Sequence, residues 1–449
     1  MIHSPDDPIA ALATPAASSA LAVIRVSGPG SLELLSPLVA RRFDPAAARG
    51  HTIHRCVLRD GSEDVDEVLI AVYKSPRSYT GEDGAEIFCH GSIPVIQRLL
   101  SLLARSGFRA AGPGEFTQRA FLNGRMGLTQ AEAVNEIVRA RTDRARGLAL
   151  QRLGGAIEER VRRAREALLD VRASLEVLID YPDEQSHEGV DVEKLDAAER
   201  IVKELVRTFR QGRLYQEGMS IAIAGATNAG KSRLFNFLLR QDRAIVSEIH
   251  GTTRDWLEGR ASIEGIPVRL FDTAGLRATT DPLEIEGLRR THEVIDAADA
   301  VVYLVDGTRG IDAADRELLE GWERPAPLLR VWNKMDLPGV LPAPEGFLSV
   351  SAVTGTGIDE VQRALAAAAL GGVPADGAEP LVDSERQRDL LARALAGLKQ
   401  LRASLSDGAT PDLLAVDCAD AMDALGEITG AVTNAEILDR MFSRFCVGK

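Results

Sequence analysis

The sequence is poor in cysteine and in aromatic residues. Its 449 residues include four cysteines, Cys56, Cys89, Cys418 and Cys446, with no Cys-x-x-Cys pair, and aromatic residues make up 4% of the chain. This cysteine spacing matches neither a zinc motif nor a disulfide framework and favours a reducing compartment. Because 45% of the residues are still hydrophobic, collagen-like, disulfide-scaffold and fully disordered proteins are excluded.

Long hydrophobic runs and an export signal are also absent from the sequence. No apolar run reaches the roughly 18 residues that a membrane-spanning helix needs. Residues Met1 to Asp7 have neither the basic region nor the apolar core of a signal peptide. We therefore expect a cytoplasmic protein with no membrane association. The net charge of −13 implies that nucleic acid is met through a local basic patch or a basic partner.

The N-terminal part of the chain has the patterning of a small α+β domain. A single core stops growing near about 250–300 residues, so a chain of this length predicts two or three domains. Short apolar runs that are typical of strands lie at residues 9–27, 67–73 and 86–89. Apolar residues at helical spacing from Val95 to Leu103 predict one helix, and we place this domain at 1–118.

A helical domain is predicted in two separate segments. Proline is absent from Leu128 until Pro182, and apolar residues spaced alternately four and three apart from Ile157 to Leu178 predict one long amphipathic helix. The same spacing from Leu391 to Leu405 predicts helical partners for it. This domain is placed at 119–215 and 375–449.

The intervening segment, 216–374, is predicted to be an inserted α/β domain. From Ser220 to Leu370, short β-branched runs alternate with helical stretches, which predicts a parallel, doubly wound sheet. The expected fold class is therefore multidomain, α+β and α/β. It combines an N-terminal α+β domain, a central helical domain and an inserted P-loop domain.

A phosphate-binding loop lies at the start of the inserted domain. The strand SIAIA runs into Gly225-Ala-Thr-Asn-Ala-Gly230-Lys231-Ser232 and then into an apolar helix, which is the context that the GxxxxGKS motif requires. Glycine lets backbone N–H groups curl round phosphate oxygens, and the helix N-terminus adds positive charge. Lys231 would neutralise the β- and γ-phosphates, and Ser232 would ligate Mg²⁺.

Three further motifs follow in the order of a GTPase. Asp272-Thr-Ala-Gly275 ends the next hydrophobic strand, Asn333-Lys334-Met335-Asp336 ends a later one, and Ser351-Ala352 closes over the base. The Asp336 carboxylate can accept two hydrogen bonds from guanine that adenine cannot offer, so GTP is the expected nucleotide. The predicted nucleotide contacts are Asn228, Ala229, Gly230, Lys231, Ser232, Arg233, Ser247, Thr252, Thr253, Asp272, Thr273, Ala274, Gly275, Asn333, Lys334, Asp336, Ser351, Ala352 and Val353.

The block Gly251-Thr252-Thr253-Arg254-Asp255 supplies a switch threonine. Thr253 is the preferred second Mg²⁺ ligand, and Thr252 could instead offer a backbone carbonyl to a cation. Ras-like enzymes carry a glutamine after DxxG that orients the attacking water. Here that residue is Leu276, so another group must hold the water, and no arginine finger can be assigned.

Taken together, GATNAGKS, GTTRD, DTAGLR, NKMD, SYTGED and the terminal FCVGK resemble the MnmE (TrmE) family of tRNA modification GTPases over essentially the whole chain. The resemblance implies a Ras-like G domain and potassium-activated GTP hydrolysis. It also implies modification of the tRNA wobble uridine at carbon 5, of the carboxymethylaminomethyl type, together with the flavoprotein MnmG.

The resemblance also assigns the potassium site and the catalytic residues. Potassium would replace the arginine finger and would be held by Asn228, Ser247 and the carbonyls of Ile249 and Thr252. Glu284 would orient the attacking water through a second water. With Lys231 and Thr253, it completes the predicted catalytic set. Glu286 and Glu293 lie on the same predicted helical segment, so the family alignment alone singles out Glu284.

For the N-terminal domain, the resemblance implies homodimerisation and binding of 5-formyl- or 5,10-methylene-tetrahydrofolate. Arg25, Glu86, Arg125 and Lys449 match the folate contacts of the family. The first loop departs from the usual TPxGRGA, because residues 14–20 read TPAASSA. Thr227 stands where proline is usual, a change that should leave the phosphate cradle intact.

Several other residues carry two interpretations. Cys446 is either a functional thiol beside the folate or an unreactive cysteine near the end of the chain. Cys89-His90 resembles a metal pair, but adjacent strand residues point to opposite faces. The arginine-rich run 139–172 could contact tRNA or MnmG, although the solvated face of a helix is the favoured interpretation.

Two other functions remain open at the sequence level. A ribosome-assembly or regulatory GTPase would share the G-domain motifs, but no KH-like GxxG module follows them. A folate-binding scaffold that uses its GTPase only as a timer is the second alternative.

Overall fold

The computed structural model describes residues 7–40, 43–181, 190–241, 257–273, 292–371, 381–432 and 435–449. The strands are β1 Ile9–Leu12, β2 Leu21–Ser27, β3 Thr52–Asp60, β4 Glu63–Tyr73, β5 Gly84–His90, β6 Arg109–Ala110, β7 Met219–Gly225, β8 Leu257–Ile263, β9 Ile266–Asp272, β10 Ala300–Asp306, β11 Leu328–Asn333 and β12 Leu348–Ser349. The helices are α1 Ser31–Leu35, α2 Ile93–Arg105, α3 Glu115–Leu122, α4 Leu128–Arg139, α5 Asp143–Leu153, α6 Ala156–Asp180, α7 Val192–Glu217, α8 Lys231–Gln241, α9 Ala313–Glu320, α10 Ile358–Leu370, α11 Glu385–Ser406, α12 Pro411–Thr429 and α13 Ala435–Phe442. Residues 292–297 are also helical.

The chain divides into two compact units. The first comprises Met1–Asn135, Leu153–Glu158 and Asp423–Lys449, and the second comprises Glu136–Arg152 and Glu159–Met422. The boundaries of these two units differ from those of the three domains expected from the sequence. The bounds of the three domains therefore stay a prediction. Among the described helices, none combines the length and apolarity that crossing a bilayer requires.

The first unit is built on a mixed sheet of order β3-β4-β5-β2-β1-β6, in which only the β1–β6 pair is parallel. Helix α2 begins after the N-cap Ser92 and buries Ile96, Leu99, Leu102 and Leu103 in the same core as the sheet. This spacing of three and four residues is the one that predicted the helix. The predicted strands at 9–27, 67–73 and 86–89 are confirmed as β1, β2, β4 and β5.

Long helices carry the predicted heptad pattern. Ile157, Val161, Ala164, Leu168, Val171 and Leu175 of α6 are all at most 1% exposed. The Cys418 thiol of α12 donates to the carbonyl of Leu168 at 3.6 Å, which brings a C-terminal helix against α6. Helices α7 and α11 pack together, and Arg402 bonds to Glu199 between them at 2.7 Å. A distant helix, α12, therefore packs against α6 as expected, whereas the helix that carries Leu391 to Leu405, α11, packs against α7.

The second sheet has the order β12-β11-β10-β7-β9-β8, parallel except for the antiparallel β8–β9 pair. Ile221 and Ile223 of β7 pack into one apolar cluster, and Ala222 and Ala224 pack into the cluster on the opposite face. Burial on both faces explains the unbroken apolar run of this strand. The expected parallel sheet is confirmed for the other strands, whereas β8 and its antiparallel pairing were not predicted.

The chain leaves the helices for this sheet through α7 and returns to them beside the same helix. Val382 N donates to Thr208 Oγ1 of α7 at 3.0 Å. The Arg152 side chain of α5, 1% exposed, bonds to the Leu381 carbonyl at 2.8 Å, to Asp383 at 2.8 Å and to Glu136 at 2.7 Å. The segment 381–383 is thus fastened to both α5 and α7.

Candidate functional site

The predicted nucleotide residues gather at the carboxyl edge of the second sheet. Strands β7, β9 and β11 end at Gly225, Asp272 and Asn333. Because these strands are parallel, their ends meet at one edge. Strand β7 lies between β9 and β10, so the chain order reverses there, and such a switch point is where open α/β sheets bind ligands.

The loop after β7 is shaped to receive phosphate. Asn228 has φ 66° and Gly230 has φ 102°, and a Cβ on Gly230 would lie 2.3 Å from the Asn333 side-chain nitrogen. Lys231 begins α8, and its ammonium donates to the carbonyls of Gly225 and Ala226 at 3.0 Å each. Burial lowers the pKa of Lys231, and the charge of Asp272 opposes that shift. A bound phosphate would give this ammonium a charged acceptor.

Asp272 has the properties of a residue that acts on a bound cation. Its Oδ1 atom is buried and has no hydrogen-bond partner among the described residues. The next residue, Thr273, is fixed in place, since its hydroxyl donates to the Ile223 carbonyl at 2.8 Å. Ser232 lies in the first turn of α8 with its side chain exposed. A carboxylate and a hydroxyl are oxygen donors of the kind that Mg²⁺ takes, directly or through water.

The base-recognition motif is held by a continuous set of hydrogen bonds. The Asn333 amide donates to the Ala229 carbonyl of the phosphate loop at 2.7 Å and accepts from Ala352 N at 3.0 Å. The Ser351 hydroxyl donates to Asp336 Oδ1 at 2.6 Å. Asn333 and Ser351 are buried while Asp336 is exposed. The three loops are thereby joined, and the Asp336 carboxylate stays open to a ligand.

One residue beside this motif was not found from the sequence. Asp306 ends β10 and accepts a hydrogen bond from the Lys334 ammonium at 2.6 Å. The only sequence signal is an aspartate that ends the apolar run VVYLVD, which is a common feature of strand ends. The pairing with Lys334 depends on the alignment of β10 with β11.

The remaining predicted nucleotide and metal residues are distributed as follows. Ala229 is buried, and Arg233 and Val353 are exposed. Seven others lie outside the described residues, namely Ser247, Ile249, Thr252, Thr253, Ala274, Gly275 and Glu284. Their roles stay predictions.

In the first unit, Arg25 is the centre of a second cluster. Its Nη2 and Nε atoms donate to Glu86 Oε1 at 2.6 and 3.0 Å, and Nη1 donates to the Gly448 carbonyl at 3.1 Å. The guanidinium carbon lies 5.6 Å from the ring centres of both Tyr79 and Phe116. The structure thus brings together two of the predicted folate residues. The two aromatic residues, which sequence reasoning did not single out, flank them.

The other two predicted folate residues lie on neighbouring segments. Burial lowers the pKa of Lys449, and the charge of Arg25 lowers it further. Arg125 is exposed, and its side chain runs beside Gly81 of the SYTGED loop. A cavity of about 420 Å³ in the same unit is lined by Thr14 and Ala16 of the altered loop, with Ala11, Leu100 and Val447 among the other residues.

The cysteines differ in exposure. Cys56, Cys89 and Cys418 are buried and Cys446 is exposed. Burial raises the pKa of Cys89 to about 11, whereas His90 points outward and pairs with Asp66 at 2.7 Å. The opposite orientation of Cys89 and His90 agrees with the sequence argument against a metal pair. Across the described ranges, no group of three or more His, Cys, Asp or Glu residues could hold a metal ion.

Two family models match this chain. One, described as the MnmE helical domain, matches residues 128–446. The other, described as the GTP-binding protein TrmE N-terminus, matches residues 8–125.

Curated relatives match over their full length. The chain is 42% identical over 467 residues to the tRNA modification GTPase MnmE of Moorella thermoacetica, covering 99% of this chain and 100% of that protein. It is 38% identical over 460 residues to the protein of the same name from Carboxydothermus hydrogenoformans, covering 99% and 100%. A crystal structure of Aquifex aeolicus Era bound to GDP and AlF4⁻ is 24% identical with a TM-score of 0.29, covering 40% of this chain and 66% of that chain.

Proposed function

The chain belongs to the MnmE family, and from that membership we propose that it is a GTPase that acts in tRNA modification. The product is the wobble uridine modified at carbon 5 with a carboxymethylaminomethyl-type group, and the flavoprotein MnmG and a tetrahydrofolate derivative take part. The observation that carries the proposal is the convergence of Lys231, Asp272 and Asn333 at one sheet edge, with Asp336 open beside them.

In this proposal, one set of residues binds the phosphates of GTP and another binds its guanine base. Lys231 neutralises the β- and γ-phosphates, and Ser232 and Thr253 ligate Mg²⁺. Asp272 holds the water shell of that ion, a role supported by its buried Oδ1, which has no hydrogen-bond partner within the part of the chain that the structure describes. Asp336 accepts the two guanine N–H groups. Bound Mg²⁺ supplies charge neutralisation at the phosphates, while the chain binds and orients the nucleotide.

A potassium ion is proposed to take the place of an arginine finger. Asn228, Ser247, Ile249 and Thr252 would hold it, and the left-handed backbone of Asn228 supports a special position for that residue. GTP turnover is compared in KCl and in NaCl at equal ionic strength. Because an arginine-finger equivalent contributes about 10³–10⁵ in rate, turnover should be far slower in NaCl. Equal rates would contradict the potassium proposal while leaving GTP hydrolysis intact.

Folate binding is proposed for the Arg25 cluster. Arg25, Arg125 and Lys449 supply positive charge for the carboxylates of the folate, and Glu86 can accept hydrogen bonds from the pteridine. The guanidinium of Arg25 also lies beside the rings of Tyr79 and Phe116, which offer an aromatic surface to a pteridine. Calorimetry with 5-formyl-tetrahydrofolate should detect one site per chain, and Glu86→Gln should weaken it. The absence of heat with the unaltered protein would contradict folate binding.

The tRNA assignment is tested by deleting the gene and analysing the nucleosides of bulk tRNA. The 5-carboxymethylaminomethyl-type uridine should disappear and return on complementation. An unchanged nucleoside profile would remove the tRNA assignment. Association into a homodimer is tested separately by light scattering on the purified chain, and binding of MnmG is tested by co-elution with it.

A further inference from the structure

The acidic residue at the end of β10 is tied to the base-recognition motif on the next strand. Asp306 lies opposite Asn333 in the parallel register of β10 and β11. Its Oδ2 accepts from the Lys334 ammonium at 2.6 Å, and the Lys334 side chain is 26% exposed. Asp306 itself is 9% exposed, so this pair is largely removed from solvent.

The second carboxylate oxygen of Asp306 also has hydrogen-bond partners, which fix the orientation of the side chain. Its Oδ1 accepts from Thr308 N at 3.0 Å and from the Thr308 hydroxyl at 2.7 Å. Gly307 N donates to the Asn333 carbonyl at 2.9 Å, and a Cβ on Gly307 would lie 2.9 Å from that oxygen. The turn after β10 is therefore packed directly against the turn that carries the base-recognition motif.

Lys334 is held in an unusual conformation. Its φ of 71° lies in the left-handed region, which is uncommon for residues other than glycine. With its backbone in that conformation and its ammonium on Asp306, few side-chain rotamers remain. Ordering a long side chain costs conformational entropy. For Lys334, most of this cost arises on folding, before a nucleotide binds.

We infer that Asp306 is a positioning residue for guanine nucleotide recognition, acting through Lys334. The inference rests on the proposed GTP binding and adds a residue to it. Asp306 is not expected to contact the nucleotide. It holds Lys334 in the geometry that the base site uses and joins β10 to the loops that carry Asn333 and Asp336.

The test is a double-mutant cycle on nucleotide affinity, measured with a fluorescent GDP analogue on the full chain. Asp306→Ala should raise the dissociation constant about tenfold or more, the usual scale for loss of a hydrogen bond to a charged group. In a Lys334→Ala background, the same change should have less than about a twofold effect, because the two residues act as one unit. Asp306→Asn, which keeps an acceptor for Lys334 and Thr308, should have an intermediate effect.

Asp315→Asn is the matched control. Asp315 is also buried and accepts from Tyr303 of the same strand at 2.7 Å. This variant should lower the melting temperature but change the dissociation constant less than twofold. If Asp306→Ala does not fold, Asp306→Asn alone decides between the outcomes.

Three results would overturn the inference. They are an unchanged affinity in the Asp306 variants, an undiminished effect in the Lys334→Ala background, or a loss of affinity in Asp315→Asn equal to that in Asp306→Asn. In each case the unaltered chain still binds GDP, so the proposed function stands. A failure of the unaltered chain to bind GDP would overturn the proposed function together with the inference.

Discussion

Glu115 is a buried charged side chain with several partners. Its carboxylate accepts hydrogen bonds from Arg109 at 2.5 and 3.0 Å, from Arg119 at 2.9 Å and from Gly112 N at 2.8 Å. Burial alone would raise the pKa of Glu115. The hydrogen bonds from Arg109, Gly112 and Arg119 outweigh it and lower the pKa to about 2. Folding therefore favours the ionised form of Glu115.

We expect Glu115→Gln to destabilise the protein at neutral pH by about 3 kcal/mol, the equivalent of the pKa shift. Because the pKa is lowered from 4.5 to about 2, the stabilisation is complete above pH 4.5 and is lost as the pH falls towards 2. The difference in unfolding midpoint between the variant and the unaltered protein should therefore be larger at pH 7 than at pH 3. Glu63→Gln, at an exposed pair with Arg98, should have a much smaller effect on the unfolding midpoint.

Glu284 lies outside the described residues, and its role rests on the family resemblance. Glu284→Ala should lower the turnover number for GTP by about 10²-fold or more, since it is proposed to orient the attacking water. The affinity for GTP should stay nearly unchanged, as expected for a group that acts in the transition state. Glu286→Ala is the control and should leave turnover unaltered. A parallel loss of affinity in Glu284→Ala would point to a structural role instead.

At the scale of elements, segment 381–383 connects several helices. Arg152 of α5 joins it to Glu136 of α4, and Thr208 joins it to α7. The arginine-rich run 139–172, which includes Arg152, therefore contains two kinds of arginine. Exposed members such as Arg162 and Arg172 pair with glutamates one turn away, in agreement with the favoured solvated face. Arg152 is instead a buried structural residue.

Arg152→Met should lower the free energy of unfolding by about 3–5 kcal/mol. The substitution leaves the buried carboxylates of Glu136 and Asp383 without this cation, and breaking a buried ion pair has costs on that scale. Arg162→Met, at an exposed pair, should have a much smaller effect. Denaturant unfolding of both variants provides the comparison, and equal small effects would show that the Arg152 cluster is not stabilising.

Elements with a fully buried stripe were predictable, whereas the edge strands β3 and β8 were not. The stripe of α6 repeats along the helix from Ile157 to Leu175, so it stands out from the sequence. Strand β3 was missed because its inward side includes the polar Thr52 and His54, while the apolar Ile53 is 66% exposed on the outward side. Strand β8 contains Gly259 and, among the described strands, pairs with β9 alone. Edge strands are held by backbone pairing, which leaves little trace in the pattern of side chains.

The candidate site likewise contains residues that could be predicted from the sequence and residues that could not. Residues within contiguous motifs, such as Lys231 and Asp336, were predictable because the chemistry depends on local spacing. Asp306, Tyr79 and Phe116 were not, because their neighbours come from distant parts of the sequence. Asp306 is 28 residues from Lys334, and only strand register brings the two together.

At the scale of the molecule, the net charge of −13 limits how tRNA can be held. A uniformly acidic field repels phosphate, so binding depends on a restricted surface or on a partner. We expect the isolated chain to bind tRNA with a dissociation constant of about 10⁻⁴–10⁻⁶ M, the range of non-specific binding, and MnmG to tighten it. Fluorescence anisotropy at two salt concentrations, with MnmG alone as the control, would measure this. Nanomolar binding by the isolated chain would contradict the expectation.

The fastening of Val382 to Thr208 and of Leu381 to Arg152 has a mechanical consequence. Hydrogen bonds from two adjacent residues to two different helices restrain the rotation of this segment as well as its displacement. A force that acts on the chain at residue 381 is therefore passed to α5 and α7 together.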